Sequence, residues 1–137
     1  MDAKRREITP FARPVADKEL APFALRAQSP GFRQSLHTPG RLSIIAEVKR
    51  ASPSVGTIKE QVNAVDQARL YADAGADCLS VLTESKYFQG QMQDLIDVVK
   101  DQSKRSKPLP CIRKDFMVHP YQVLEAAQAG ARCILII

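Results

Sequence analysis

The chain has no tryptophan, and aromatic residues make up only 6% of its 137 residues. Proteins that bind single-stranded nucleic acid use aromatic side chains as stacking platforms, so this scarcity argues against a nucleic-acid partner. Cysteine is also rare, and Cys78, Cys111 and Cys133 are widely spaced and outside any CxxC pair. Their odd number and spacing disfavour disulfides and metal sites, and they predict buried thiols in a reducing cytosol.

Long apolar runs are missing as well. The longest uninterrupted aliphatic stretch covers residues 134–137, whereas a membrane-spanning helix requires roughly 20 residues. The N-terminus, MDAKRREITP, is charged and lacks the apolar centre of a secretory signal. The sequence therefore predicts a cytoplasmic protein without a membrane partner.

The composition that remains is that of an ordinary globular domain, with 45% hydrophobic and 26% charged residues. The length predicts a single domain with a core of its own. The formal net charge is +5, and short basic clusters lie at residues 4–6 and 104–107. We interpret both clusters as solvated surface, and attraction of an anionic small substrate is the second interpretation.

Beyond residue 41, apolar strand-like segments alternate with amphipathic helical segments. Strands are predicted at about 42–49, 78–83, 109–114 and 132–137. Helices are predicted at about 60–74, 92–100 and 120–129, the first and last ending at Gly75 and Gly130. This alternation with short connections predicts an α/β fold with a parallel sheet and right-handed crossovers. Periodicity alone leaves a barrel and a doubly wound sheet as alternatives.

Apolar residues at helical spacing identify the faces that we expect to pack on the sheet. The stripe of the first helix is Val65, Ala68 and Ala72, and that of the second is Met92, Leu95, Ile96 and Val99. Residues 1–41 contain five prolines, which break any long helix. We predict that they form an arm outside the sheet, with one short helix near 32–37.

The segment SIIAEVKRASPS, residues 43–54, is the strongest candidate for a functional site. Strand alternation places Glu47 and Lys49 on one face at the carboxyl end of the first strand. A polar turn that contains Ser52 follows, and its hydroxyls and backbone N–H groups suit an anion. Active sites of parallel α/β sheets lie at this end. The alternatives are an edge strand with one solvated face and a Ser52 that only forms the turn.

Three motifs in order resemble those of the indole-3-glycerol phosphate synthase family: IIAEVKRASPS, AGADCLSVLTESKYFQG and LPCIRKDFMVHPYQVLEAAQAGARCILII. The resemblance covers about residues 32–137 and implies a (β/α)8 TIM barrel with an N-terminal extension. It also implies a carboxy-lyase of tryptophan biosynthesis. Such an enzyme converts 1-(2-carboxyphenylamino)-1-deoxyribulose 5-phosphate into indole-3-glycerol phosphate, carbon dioxide and water, without a metal or organic cofactor.

The resemblance assigns catalytic roles to three charged residues. Lys114 corresponds to the general acid that helps the substrate carbonyl accept the ring carbon. Lys49 corresponds to a second lysine that stabilises developing negative charge and the substrate carboxylate. Glu47 is expected to hold the lysines and the substrate hydroxyls in place. Without the resemblance, a local ion pair between Lys114 and Asp115 is the simpler interpretation.

Three further residues are expected to contact the substrate, again by resemblance. Ser52 corresponds to a contact in the loop after the first strand, and Phe88 and Phe116 correspond to apolar walls around the anthranilate ring. Considered without the resemblance, both phenylalanines are core residues. The implied partner is a small anion that carries a phosphate and a carboxylate.

A barrel of this kind usually takes about 250 residues, so the predicted elements correspond to its first four strands. We expect residues 1–41 to form the N-terminal extension and residues 42–137 to form the first half of the barrel. A fragment of this kind is expected to be inactive alone and to self-associate through the open edge of the fourth strand. The alternatives are a non-catalytic half-barrel that acts as an assembly or binding module, and another phosphate-binding barrel such as phosphoribosylanthranilate isomerase.

Overall fold

A computed structural model describes residues 1–24, 31–52, 54, 56–57 and 63–137. The helices in these ranges are α1 (Asp2–Ile8), α2 (Asp17–Ala24), α3 (Phe32–Ser35), α4 (Ala64–Asp73), α5 (Met92–Gln102) and α6 (Pro120–Gln128). The strands are β1 (Ile45–Val48), β2 (Ala51–Ser52), β3 (Gly56–Thr57), β4 (Cys78–Leu82), β5 (Cys111–Lys114) and β6 (Cys133–Ile134).

The main sheet has the strand order β1-β4-β5-β6, and every neighbouring pair is parallel. This arrangement confirms the predicted α/β fold with a parallel sheet, although the strands are shorter than predicted. All five residues of β4 are buried, as expected for a strand covered on both faces. In the polar segment after β1, strands β2 and β3 pair in an antiparallel hairpin.

The core lies between the sheet and helices α4 and α5. Ala68, Leu95 and Val98 have no exposed surface and pack with Leu79 and Val81 of β4. The stripe predicted for the first helix is confirmed at Ala68, while Val65 and Ala72 are partly buried against the core.

The stripe predicted for the second helix is partly wrong. Ile96 is 40% exposed, and Val98 takes the buried position in its place. A residue one position from Leu95 lies about 100° around the helix, so Ile96 points away from the sheet, whereas Val98 at i+3 shares the face of Leu95. Both positions are apolar, so composition does not distinguish them.

Helix ends follow the predicted chemistry. Gly75 and Gly130 have φ angles of +93° and +86°, which favour glycine, and each follows the end of a helix. Pro120 begins α6, and the Nδ1 atom of His119 accepts a hydrogen bond from the Tyr121 N–H at 3.0 Å. The first helix of the main body begins later than predicted, because Asn63 caps α4. The predicted start at residue 60 lies outside the described residues.

The N-terminal arm is more helical than predicted, since α1 and α2 precede the expected short helix α3. The interpretation of residues 4–6 as solvated surface is wrong for Lys4, which is only 3% exposed. It is buried because two carboxylates surround its ammonium group. Lys104 and Lys107 of the second basic cluster are exposed as predicted.

The cysteines are free thiols, with Cys78 and Cys111 buried and Cys133 half-buried. Burial raises the pKa of the Cys111 thiol to about 12 and that of Cys78 to about 11. These environments confirm the prediction of buried thiols for Cys78 and Cys111. Among the described residues, no helix is both long and apolar enough to cross a membrane.

Asp77 joins the start of β1 to the turn before β4. Its carboxylate accepts a hydrogen bond from the Ile44 N–H at 2.8 Å and another from Arg41 Nη1 at 2.9 Å. The Arg41 hydrogen bond, followed by the backbone N–H, lowers the pKa of Asp77 to about 2. The contact fixes the end of the arm against the sheet.

Replacing Asp77 with asparagine is expected to lower the melting temperature at pH 7. Because the folded-state pKa lies below the unfolded value, the charge stabilises the fold above about pH 4, and this contribution is lost as the pH falls towards 2. The melting temperatures of the two proteins should therefore converge between about pH 4 and pH 2. Thermal denaturation followed by circular dichroism tests this, with exposed Asp97→Asn as the control. A difference that persists unchanged at pH 2 would contradict it.

Candidate active site

Three predicted catalytic residues meet at the carboxyl end of the sheet. Lys114 Nζ lies 2.6 Å from Glu47 Oε2, and Lys49 Nζ lies 3.6 Å from Glu47 Oε1. Strand register explains the contact, because Glu47 is level with Ser80 of β4 and Lys114 is level with Leu82. The side chains reach each other across β4, which separates their two strands. We refer to Glu47, Lys49 and Lys114 as the charged triad.

The local ion pair considered for Lys114 and Asp115 is wrong. Lys114 instead pairs with Glu47 on β1, whereas Asp115 binds Lys4 and Arg113. Strand alternation explains this difference, since Lys114 lies on one face of β5 and its neighbours lie on the other. The charged triad and the Asp115 contacts therefore occupy opposite sides of the same strand end.

The charged triad remains open to solvent. The side chains of Lys114, Lys49 and Glu47 are 37%, 36% and 28% exposed. Two ammonium groups around one carboxylate leave a net positive charge, and each ammonium has donors beyond its contact with Glu47. Such an arrangement can bind an anion and can donate a proton to a reacting oxygen. Within the described part of the chain, no cluster of three or more His, Cys, Asp or Glu residues could hold a metal ion.

Ser52 lies in β2, directly after the segment that carries Lys49, and it is only 8% exposed. Its Oγ is 3.3 Å from the Ser54 Oγ, and either oxygen can be the donor. Arg50 secures this segment to the start of α5, with Nε and Nη2 donating to Asp94 at 3.0 and 2.6 Å. Pro53, part of the predicted turn, lies outside the described residues.

Phe88 and Phe116 are half-buried, and they follow β4 and β5 respectively. Both therefore lie in loops at the edge of the sheet where the charged triad is found. Their contact with a substrate ring stays a prediction.

Sequence reasoning missed Glu84, which organises the loop of Phe88. The Glu84 residue is only 2% exposed. Its carboxylate accepts hydrogen bonds from the backbone N–H groups of Lys86, Tyr87 and Phe88 at 3.0, 2.7 and 3.3 Å. At the end of the loop, a Cβ on Gly90 would lie 2.2 Å from the Leu82 carbonyl oxygen, so only glycine fits. A glutamate in a polar loop gives no sequence signal of burial.

Sequence reasoning also missed the contacts of Arg113, which is 3% exposed. Its guanidinium contacts Asp115 Oδ2 at 3.1 Å and Glu125 Oε1 at 3.0 Å, and it donates to the Gln122 carbonyl at 2.9 Å. These contacts join the end of β5 to α6. The side of β5 opposite Lys114 is therefore fixed by buried charges.

Comparison of the sequence with known proteins identifies one family. The sequence profile described as "Indole-3-glycerol phosphate synthase" matches residues 2–137. A relative of that name from Opitutus terrae is 51% identical over 139 positions, which cover 100% of this chain and 52% of the relative. One of the same name from Rhodospirillum rubrum is 45% identical over 143 positions, which cover 99% of this chain and 51% of the relative. The chain thus spans about half the length of these curated relatives.

The charged triad and the buried side of β5 should respond differently to substitution. Glu47→Gln is expected to change the free energy of unfolding by less than about 1 kcal/mol, because partly solvated ion pairs contribute little. Arg113→Met is expected to cost about 3–5 kcal/mol, because it removes the buried cation that joins Asp115 to Glu125 and leaves Lys4 as the remaining cation beside the Asp115 carboxylate. Urea denaturation of both variants measures the contrast. Equal losses would show that the charged triad is a structural contact.

Proposed function

Because the chain belongs to the indole-3-glycerol phosphate synthase family, we propose that it carries part of an active site for decarboxylating ring closure. The substrate is 1-(2-carboxyphenylamino)-1-deoxyribulose 5-phosphate, and the reaction is a carboxy-lyase step of tryptophan biosynthesis in the cytoplasm. The observation that supports the proposal is the contact of Lys114 and Lys49 with Glu47 at the carboxyl end of the sheet. Barrel enzymes have their active sites at this end.

In the proposed mechanism, Lys114 donates a proton to the substrate carbonyl oxygen as the aromatic ring carbon forms its bond to the carbonyl carbon. Lys49 binds the substrate carboxylate, which leaves as carbon dioxide, and the electron pair of the broken carbon–carbon bond restores the aromatic ring. The new hydroxyl group takes up a second proton and leaves as water, and loss of a proton from the neighbouring carbon forms the indole double bond. Uptake of one proton from solvent returns Lys114 to its ammonium form. Glu47 orients both ammonium groups through the contacts at 2.6 and 3.6 Å. No metal or organic cofactor takes part in these steps.

The substrate contacts are proposed from the loops that follow the strands. The Ser52 hydroxyl binds a polar group of the substrate beside Lys49. Phe88 and Phe116 form apolar walls for the anthranilate ring, and the buried carboxylate of Glu84 supports the first of these walls through the backbone. Partly buried aromatic side chains are suited to this role because they bind a flat ring at low entropic cost.

We further propose that the four-stranded sheet is part of a (β/α)8 barrel, with residues 1–41 as the N-terminal extension and residues 42–137 as its first half. Such barrels usually bind phosphate through the loops after strands seven and eight. The described parallel sheet has four strands. We therefore expect the 137-residue chain to turn over substrate very slowly by itself.

A non-catalytic half-barrel that acts as an assembly module is the second candidate. It is favoured by the apolar residues near the two outer strands, since Leu42, Ile136 and Ile137 are 89%, 76% and 77% exposed. In the described sheet, β1 and β6 each pair along one side. Exposed apolar edges of this kind favour association with a second chain.

Catalysis can be tested in a chimaera that joins this chain to the remaining half of the Opitutus terrae relative. Formation of indole-3-glycerol phosphate, followed by fluorescence, is expected in the chimaera. Lys114→Ala should reduce kcat by about 100-fold or more, because general acids contribute factors of this size. Exposed Lys104→Ala is the control and should leave kcat unchanged. A folded chimaera without turnover, or one that tolerates Lys114→Ala, would contradict the proposal.

Self-association can be tested separately by size-exclusion chromatography with light scattering. The chain is expected to elute above its monomer mass at micromolar concentration, because its apolar edges are exposed. Replacing Ile136 and Ile137 together with lysine should shift it to the monomer. Ile96→Lys introduces the same change on the outer face of α5 and should have no effect. A wild-type chain that is monomeric at all concentrations would exclude the edge contact.

A further inference from the structure

Lys4 is a buried cation in a helix that lies far from the motifs in sequence. Its side chain is 2% exposed, and its Nζ atom lies 3.1 Å from Asp115 Oδ1 and 2.9 Å from Glu7 Oε2. Asp115 directly follows Lys114. We propose that Lys4 is a positioning residue that fixes the end of β5, and with it the Lys114 ammonium group. Its importance for catalysis rests on the proposed function, whereas its effect on the position of the loop does not.

The hydrogen bonds of Asp115 explain why one cation at this point matters. Oδ1 is shared by Lys4 at 3.1 Å and by the Phe116 N–H at 2.8 Å. Oδ2 is shared by the Thr83 hydroxyl at 2.7 Å and by Arg113 at 3.1 Å. Each oxygen thus has two donors, which is the usual capacity of a carboxylate. Loss of Lys4 leaves an acceptor position of a buried anion empty.

Arg113, the second cation beside Asp115, cannot replace Lys4, because its guanidinium group already binds two carboxylates. Arg113 serves Glu125 as well as Asp115, with contacts at 3.0 and 3.1 Å. A buried carboxylate that loses a cation carries a large desolvation penalty. We therefore expect the chain around Asp115 to move towards solvent when Lys4 is neutralised, and the Phe116 amide should lose its acceptor.

The movement would reach the charged triad through the backbone. Lys114 and Asp115 share a peptide unit, and their side chains lie on opposite sides of the strand end. A displacement of about 1 Å in a catalytic group can cost a factor of about 100 in rate. Helix α1 also contacts the loop after β4, where the Ser85 hydroxyl donates to Glu7 Oε2 at 2.9 Å. The same helix thus contacts both loops that carry the proposed ring-binding residues.

Amide hydrogen exchange in the full chain, measured by NMR, tests the positioning role. Lys4→Met should accelerate exchange of the Phe116 amide on the order of tenfold, while the core amides of Leu79 and Val81 change by less than about twofold. Lys18→Met, the same substitution at an exposed position of α2, should leave all three amides unchanged. Lys4→Arg should retain protection of Phe116, because it preserves the cation.

A double-mutant cycle with Asp115→Asn completes the test. In the Asp115→Asn background, Lys4→Met should alter Phe116 exchange by less than about twofold, because no buried anion remains to lose its partner. This background also keeps the test open if Lys4→Met alone unfolds the chain. In a Lys4→Met chain that stays folded, uniform acceleration of every amide, no change at Phe116, or equal effects in both backgrounds would overturn the proposal. The exchange data need no turnover, so an inactive chimaera would count against the proposed function alone.

Discussion

The pairing of buried charges at the end of β5 is the constraint on which the carboxyl edge of the sheet depends. The Asp115 carboxylate binds Lys4 of α1, Arg113 of β5 and Thr83, which follows β4. A buried carboxylate is tolerated only when such partners are in place. Elements that are distant in sequence must therefore assemble together around this one side chain.

The two faces at the carboxyl end of β5 differ in how far their charged side chains are exposed to solvent. On the helix side, charges are more than nine-tenths buried, and their geometry is fixed. On the opposite side, the charged triad is about one-third exposed, so its ion pairs are weak enough to exchange partners with an anionic ligand. A rigid support behind the charged triad fits the catalytic role proposed for it, because catalytic groups must be held in place by well-packed neighbours.

The period of two residues in a strand was enough to predict that Glu47 and Lys49 share a face, and the alternation of elements was enough to predict the parallel sheet. These features depend on neighbours in sequence. Lys114 was assigned to the same site only through the family resemblance. The burial of Lys4 was not predictable in this way, because its partner Asp115 comes from the other end of the chain. The prediction of the buried face of α5 was wrong for a related reason. Ile96 and Val98 are both apolar, and only the orientation of the helix decides which one is buried.

Residues 74–79 and 129–134 read AGADCL and AGARCI, and this short internal repeat has a structural counterpart. Gly75 and Gly130 end two helices with the same backbone geometry, and the Ala76 and Ala131 N–H groups each bond a carbonyl five residues earlier, at 3.0 Å. The similarity therefore lies at the amino ends of β4 and β6, where Asp77 secures the arm to the sheet. The loops at the carboxyl ends of β4 and β5 differ from each other, since Glu84 organises the first and Asp115 secures the second. Stability at one end thus leaves the loops at the other end free to specialise.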